Sequence, residues 1–244
     1  MRLGKALAVG TVASAVVLAG APTAGAKART YSVTIEDLTT GQPLTPPVVA
    51  THRGKHQLFR VGQPASVGIR EIAENGNNAP LLAFLDADPF RRIADFKQAG
   101  DGPLVPKGKP GAGMFPDRVT FTMRATRHAR YLSFASMLIC TNDGFTGVNS
   151  LRLPRKTGRE VVAETNGYDA HTERNTEDFA DIVPPCQSLI GVSSGEAGTG
   201  VSDPDLAEGG VIAHHSGIRG GADLDPSVHG WRDPVARISV ERAG

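Results

Sequence analysis

Arg118-Val119-Thr120-Phe121-Thr122-Met123-Arg124-Ala125 alternates polar and apolar side chains without a break. Successive side chains of an extended chain point to opposite faces, so this stretch buries Val119, Phe121 and Met123 on one side of a sheet and wets the other. Tyr31-Ser32-Val33-Thr34-Ile35-Glu36-Asp37-Leu38 repeats the pattern and runs into the turn chemistry of Thr39-Thr40-Gly41-Gln42-Pro43. Ala236-Arg237-Ile238-Ser239-Val240-Glu241 repeats it again near the end of the chain. Short alternating stretches separated by Gly and Pro predict a mainly β fold, an antiparallel β-sandwich with long irregular loops and one or two short helices.

Working inward, Val48-Val49-Ala50 and residues 56–62 read as short extended pieces, and residues 66–75 are ambiguous between helix and strand. Residues 80–98 make the best helical stretch, with Pro89 expected to interrupt it. Glycines and prolines between residues 100 and 116 predict a long loop. The mostly apolar run at 131–139 fits either a central strand buried on both faces or a short helix. Thr141-Asn142-Asp143-Gly144 then turns the chain and sets Asp143 at the mouth of the core. Phe145-Thr146-Gly147-Val148 and residues 159–163 read as further strands. Residues 191–230, rich in Gly, Asp, Ser and His, have the composition of a disordered segment, but a strand beyond them requires that they be tethered.

The N-terminus has the layout of an export signal: Arg2 and Lys5, an apolar run to Ala21, then Ala24-Gly25-Ala26. A signal peptide at residues 1–26, ahead of one domain at 30–244, is the expectation, the alternative being an uncleaved anchor. No later segment is apolar enough to span a bilayer, so the expected product is secreted. The whole chain has 26 Lys and Arg against 25 Asp and Glu, and without Arg2 and Lys5 the product has 24 against 25, a balance that offers no electrostatic case for nucleic acid or an anionic membrane. Outside the cytoplasm the two cysteines, Cys140 and Cys186, meet oxidising conditions in which a disulfide persists. Spacing alone leaves a disulfide and two separately buried thiols both open.

The densest polar cluster runs from Asn166 through Asp169, His171, Glu173 and Glu177 to Asp178. Calcium takes six to eight oxygen ligands, which loops at one end of a sandwich supply, and Asp143, Asp169 and Glu173 are the candidates here. By composition alone a solvated acidic loop is the commoner outcome.

Three motifs in order add a family to this reading. Residues 31–47, opening Tyr31-Ser32-Val33-Thr34-Ile35-Glu36-Asp37-Leu38, resemble the start of the spondin domain, a module of animal matrix proteins that also occurs alone in bacteria. Ser136-Met137 followed by Asn142-Asp143-Gly144-Phe145-Thr146-Gly147-Val148 resembles its central motif, and Tyr168-Asp169-Ala170-His171-Thr172-Glu173 its aspartate loop. The resemblance implies a sandwich with a calcium ion held by Asp143, Asp169 and Glu173. It further implies a recognition or adhesion module at the cell surface or in the matrix, with an extracellular protein or glycan partner and no enzymatic role. Two positions depart from the animal pattern: Gly144 where a tryptophan is usual, and His171 where a glycine is usual.

The rival reading is a secreted serine hydrolase. Gly191-Val192-Ser193-Ser194-Gly195 matches G-x-S-x-G, with His214, His215 or His229 as the base, yet that motif needs a strand before it and a helix after it. The next residues, Glu196-Ala197-Gly198-Thr199-Gly200, make a poor helix. His214, His215 and His229 with Asp223 are also transition-metal candidates, but adjacent histidines in an irregular segment ordinarily face water. Trp231, the only tryptophan, reads as packing beside the last strand or as an anchor for a partner.

Overall fold

The structure, a computed structural model, describes residues 28–54 and 57–244. The expected signal peptide at 1–26, and residue 56 of the expected extended piece, lie outside the described residues. Two antiparallel sheets carry the fold. The smaller contains, in spatial order, β4 (Arg118–Ala125), β1 (Arg29–Asp37), β10 (Ala236–Arg242) and β7 (Glu160–Thr165). The larger contains β3 (Ile93–Gln98), β2 (Val48–Arg53), β5 (Ala129–Met137), β6 (Gly144–Arg152), β8 (Gly167–Asp169) and β9 (Ala213–His214).

The alternation predicted for β1 is realised: Tyr31, Val33 and Ile35 are buried, while Ser32, Thr34 and Glu36 between them are partly exposed. Those three buried side chains meet Met123, Ile238 and Val240 of their own sheet and Val49, Leu132 and Phe134 of the larger one. This core between the sheets makes the molecule a sandwich.

A second core lies on the far side of the larger sheet, where α1 (Val67–Asn75) and α2 (Ala79–Ala87) pack. Ser66 starts α1 by accepting the Ile69 N–H at 3.3 Å, and Gly76, at φ +62°, ends it by donating to Ile72. Ile69, Ile72, Leu81 and Leu85 then close on Ala135, Met137 and Phe145. β5 therefore lies between two cores, with Leu132 and Phe134 facing one and Ala135 and Met137 the other. This decides strand over helix for the run at 131–139. With α3 (Pro185–Ile190) and α4 (Pro226–His229) there are four short α-helices among the described residues, more than the sequence predicts.

Two further expectations change. The stretch at 80–98 is helical only to Ala87; beyond Pro89 it becomes the edge strand β3, because pairing with Val48 to His52 of β2 supplies its backbone bonds. Residues 57–62 form no strand. Leu58 and Phe59 are buried as plugs, and the Asn149 side chain serves their backbone in place of a sheet, accepting the Leu58 N–H at 2.8 Å and donating to the Phe59 carbonyl at 2.9 Å. Cys140 and Cys186, both fully buried, form a disulfide with Cα atoms 5.1 Å apart, which ties the turn before β6 to α3. Among the described residues no helix is long and apolar enough to cross a membrane.

Candidate metal centre

The site begins with a turn. Between β5 and β6 the Thr141 hydroxyl donates to the Leu138 carbonyl at 2.6 Å and accepts the Gly144 N–H at 2.8 Å. A Cβ on Gly144 would stand 2.5 Å from that hydroxyl, so the turn has no room for the larger residue usual there in the animal pattern. Asp143, held on this turn, is completely buried. Its Oδ2 accepts the N–H groups of Thr172 at 2.7 Å and Glu173 at 3.1 Å, and the Thr172 hydroxyl at 3.2 Å. Its Oδ1 is buried and has no hydrogen-bond donor among the described residues.

Strand pairing brings the second aspartate alongside. Gly144 of β6 sits opposite Asp169 of β8, and the Ala170 N–H donates to the Asp143 carbonyl at 3.2 Å. Asp169 Oδ1 accepts the His171 N–H at 2.7 Å, and its Oδ2 accepts from the Asn175 side chain at 2.8 Å. Burial, and then the neighbouring Asp169 carboxylate, push the Asp143 carboxyl up to about 7. Two buried carboxylates side by side strongly disfavour double ionisation unless a cation joins them.

Glu173 is buried at the same pole, but its carboxylate turns toward the 202–207 loop. Its Oε1 accepts the Asp203 N–H at 2.8 Å. Burial, followed by the charges of Glu74, Asp203 and Asp181, raises it to about 7. Asp143 and Asp169 are thus brought together, while Glu173 meets Asp143 through its backbone N–H and sends its side chain elsewhere.

The sequence reading gave no ligand role to two neighbours of Asp169, naming His171 only within the polar cluster and as a departure from the family pattern, and Glu208 not at all. Ligand atoms of Asp169, His171 and Glu208 lie within 4.8 Å of one another. They line a cleft of about 480 Å³ with Asn175, Glu177, His214 and Arg219. Glu208 gave no signal because it lies 39 positions beyond Asp169, and long-range backbone pairing brings it across, through the Glu173–Ala207 bridge and its own N–H donating to the Thr172 carbonyl at 3.2 Å. His171 has φ +50°, the left-handed conformation that favours glycine, which accounts for the glycine usual at this place in the animal pattern. Glu177 closes the far wall, its carboxylate accepting the N–H groups of Arg219, Gly220 and Gly221 at 2.6 to 2.7 Å.

Other candidates have plainer surroundings. Ser193 follows α3 in a loop, donates to Gln187 Oε1 at 2.5 Å and accepts the Gly195 N–H, so the strand–nucleophile–helix elbow is not formed. His214 lies tilted against Tyr168, His215 stands edge-on to Trp231, and His229 packs edge-on to Phe179 while its Nδ1 accepts the Asp225 N–H. Trp231 packs so closely over Gly167 that a Cβ there would meet the indole nitrogen at 2.9 Å.

A disulfide-tied antiparallel sandwich with paired loop aspartates at one pole is the class of protein that these features define. The Spondin_N family model matches residues 39–177, more than half of the chain, and the chain belongs to that family. Comparison with curated proteins finds no match.

Proposed function

We propose that this chain is a secreted, calcium-binding recognition or adhesion module of the spondin type, acting at the cell surface or in the extracellular matrix on a protein or glycan partner. The observation that carries this reading is Asp143 Oδ1, a buried carboxylate oxygen without a donor, beside the buried carboxylate of Asp169. A hard divalent cation fits this donor set, since it prefers oxygen and supplies the positive charge the pair lacks. Asp143 and Asp169 would hold it, and Glu173 would join as a further ligand only by turning its carboxylate away from the Asp203 N–H. The ion would lock β6, β8 and the acidic loop into one rigid surface. The disulfide is consistent with an extracellular setting.

Thermal unfolding with excess calcium and then with chelator tests this. Calcium at about 100 times its dissociation constant stabilises by about 2.7 kcal/mol, an expected rise of roughly 5–10 °C for a domain of this size. Asp143→Asn keeps an acceptor for Thr172 and Glu173 but removes the charge, and is expected to abolish the rise. An unchanged melting temperature in the wild type would rule the ion out.

A further inference from the structure

The near-neutral net charge conceals a separation of charge. Residues 118–160 carry eight Lys and Arg against two carboxylates, whereas residues 161–235 carry three against thirteen. Apart from Arg118 and Asp143, which lie at the acidic end, the fold sends these two stretches to opposite poles. β5 ends and β6 begins at the acidic pole, beside Asp143; β4 ends, β5 begins and β6 ends at the other.

On that second pole Arg124, Arg127 and Arg130 stand on the β4–β5 hairpin, and Arg152, Arg155, Lys156 and Arg159 on the connection from β6 to β7; all seven are exposed. Arg29 and Arg242, half-buried, come from the adjoining ends of β1 and β10. Backbone bonds join the segments into one surface. The Leu153 N–H donates to the Arg130 carbonyl at 2.8 Å and the Arg242 N–H to the Arg159 carbonyl at 3.1 Å, while the Arg242 guanidinium donates to the Arg155 carbonyl. Arg29, Arg127 and Arg242 line a single cleft of about 420 Å³ with Thr157 and Gly244.

Among the described residues none of these nine cations pairs with a side-chain carboxylate, although Arg118 and Arg237, at the opposite end of the smaller sheet, pair with Glu36. Glu160 and Glu241, opposite each other across β7 and β10, are the acidic side chains on these segments, and Asp95 of β3 accepts the Arg124 N–H at 2.7 Å beside them. Nine cations facing three acidic side chains, their internal hydrogen bonds made to neutral groups, leave a strongly positive surface.

We propose that this basic pole binds a linear anionic polysaccharide, one carrying sulfate or carboxylate groups along its length. Eight of the nine cations are arginine, whose planar fork pairs with such groups through two parallel hydrogen bonds. A membrane fits less well, because among the described residues Val162 of β7 is the one exposed large apolar side chain beside these segments, too little to enter a bilayer. Nucleic acid fits less well too, since the segments present no exposed Phe, Tyr or Trp ring on which a base would stack. The inference deepens the proposed function by giving the glycan partner a chemical class. It rests on the chain being a recognition module and not on the ion site at the opposite pole.

Titration of the purified chain with a fluorescent heparin octasaccharide, in chelator and again in calcium, tests it. Binding at 50 mM NaCl is expected to weaken at least tenfold by 300 mM, as for any contact made by displacing counterions. Arg127→Glu with Arg155→Glu is expected to lose at least tenfold in affinity, and Arg70→Glu on α1 to stay within twofold of the wild type. Arg152→Ser with Arg159→Ser provides a second pair whose loss must agree, each variant being checked by its melting curve. Absence of binding at 50 mM NaCl, wild-type affinity in both double variants, or tighter binding to phosphatidylglycerol vesicles or a single-stranded oligonucleotide would overturn the proposal. Octasaccharide binding without a calcium-dependent melting rise would sink the ion site alone; the reverse would sink the basic pole alone.

Discussion

Asp37, at the end of β1, is buried with one carboxylate oxygen accepting the Thr39 N–H at 2.8 Å and the other without a donor. Burial, reinforced by the charges of Asp117 and Glu36, outweighs the Thr39 bonds and holds its carboxyl well above the usual carboxylate range. The folded chain therefore binds this proton more tightly than the unfolded chain, whose aspartates titrate near pH 3.9. Its contribution to stability is complete below about pH 4 and is lost as pH rises through the folded value. Asp37→Asn cannot ionise, so its melting temperature relative to wild type is expected to rise between pH 4 and pH 8; a constant difference would refute the assignment. At this same scale the sequence signalled His171 as a departure from the family pattern. Its cause, a left-handed backbone that lets its N–H reach Asp169, appears only in the fold.

Among the elements, those with clean alternation were legible: β1, β4 and β10 match the predicted spans to within two residues, because one buried face imposes a period of two on the sequence. The run at 131–139 lacked that period because both faces of β5 are buried, and the stretch at 80–98 misled because β3 owes its conformation to β2 rather than to its own propensity. The pairing of Cys140 with Cys186 was open for a similar reason, since nothing local brings α3 to the β5–β6 turn. Cross-linking residues 46 apart removes about 4 kcal/mol of unfolded-state entropy in the chain-entropy model. Cys186→Ser is expected to destabilise the protein by up to about that amount in urea denaturation. A loss below about 1 kcal/mol would mean that the turn holds its shape without the bridge.

For the whole molecule, the two cores order its stability. Amide hydrogen exchange is expected to be slowest in β5, which is covered on both faces, and fastest in residues 192–200, which are mostly exposed and joined by short polar bonds. Comparable protection of the two would mean that the sheet core does not dominate unfolding.

The sequence by itself determined the β class, the bounds of the alternating strands and the family, and it singled out Asp143 and Asp169, because side-chain period and turn chemistry are local properties carried by adjacent residues. Only the tertiary structure decided that Asp143 and Asp169 are neighbours, that Glu173 directs its carboxylate toward Asp203, and that Glu208 stands beside His171. It also decided that a nearly neutral chain has one acidic and one basic pole. Each of these depends on which strand ends meet in space, and that comes from long-range pairing, which no stretch of adjacent residues encodes.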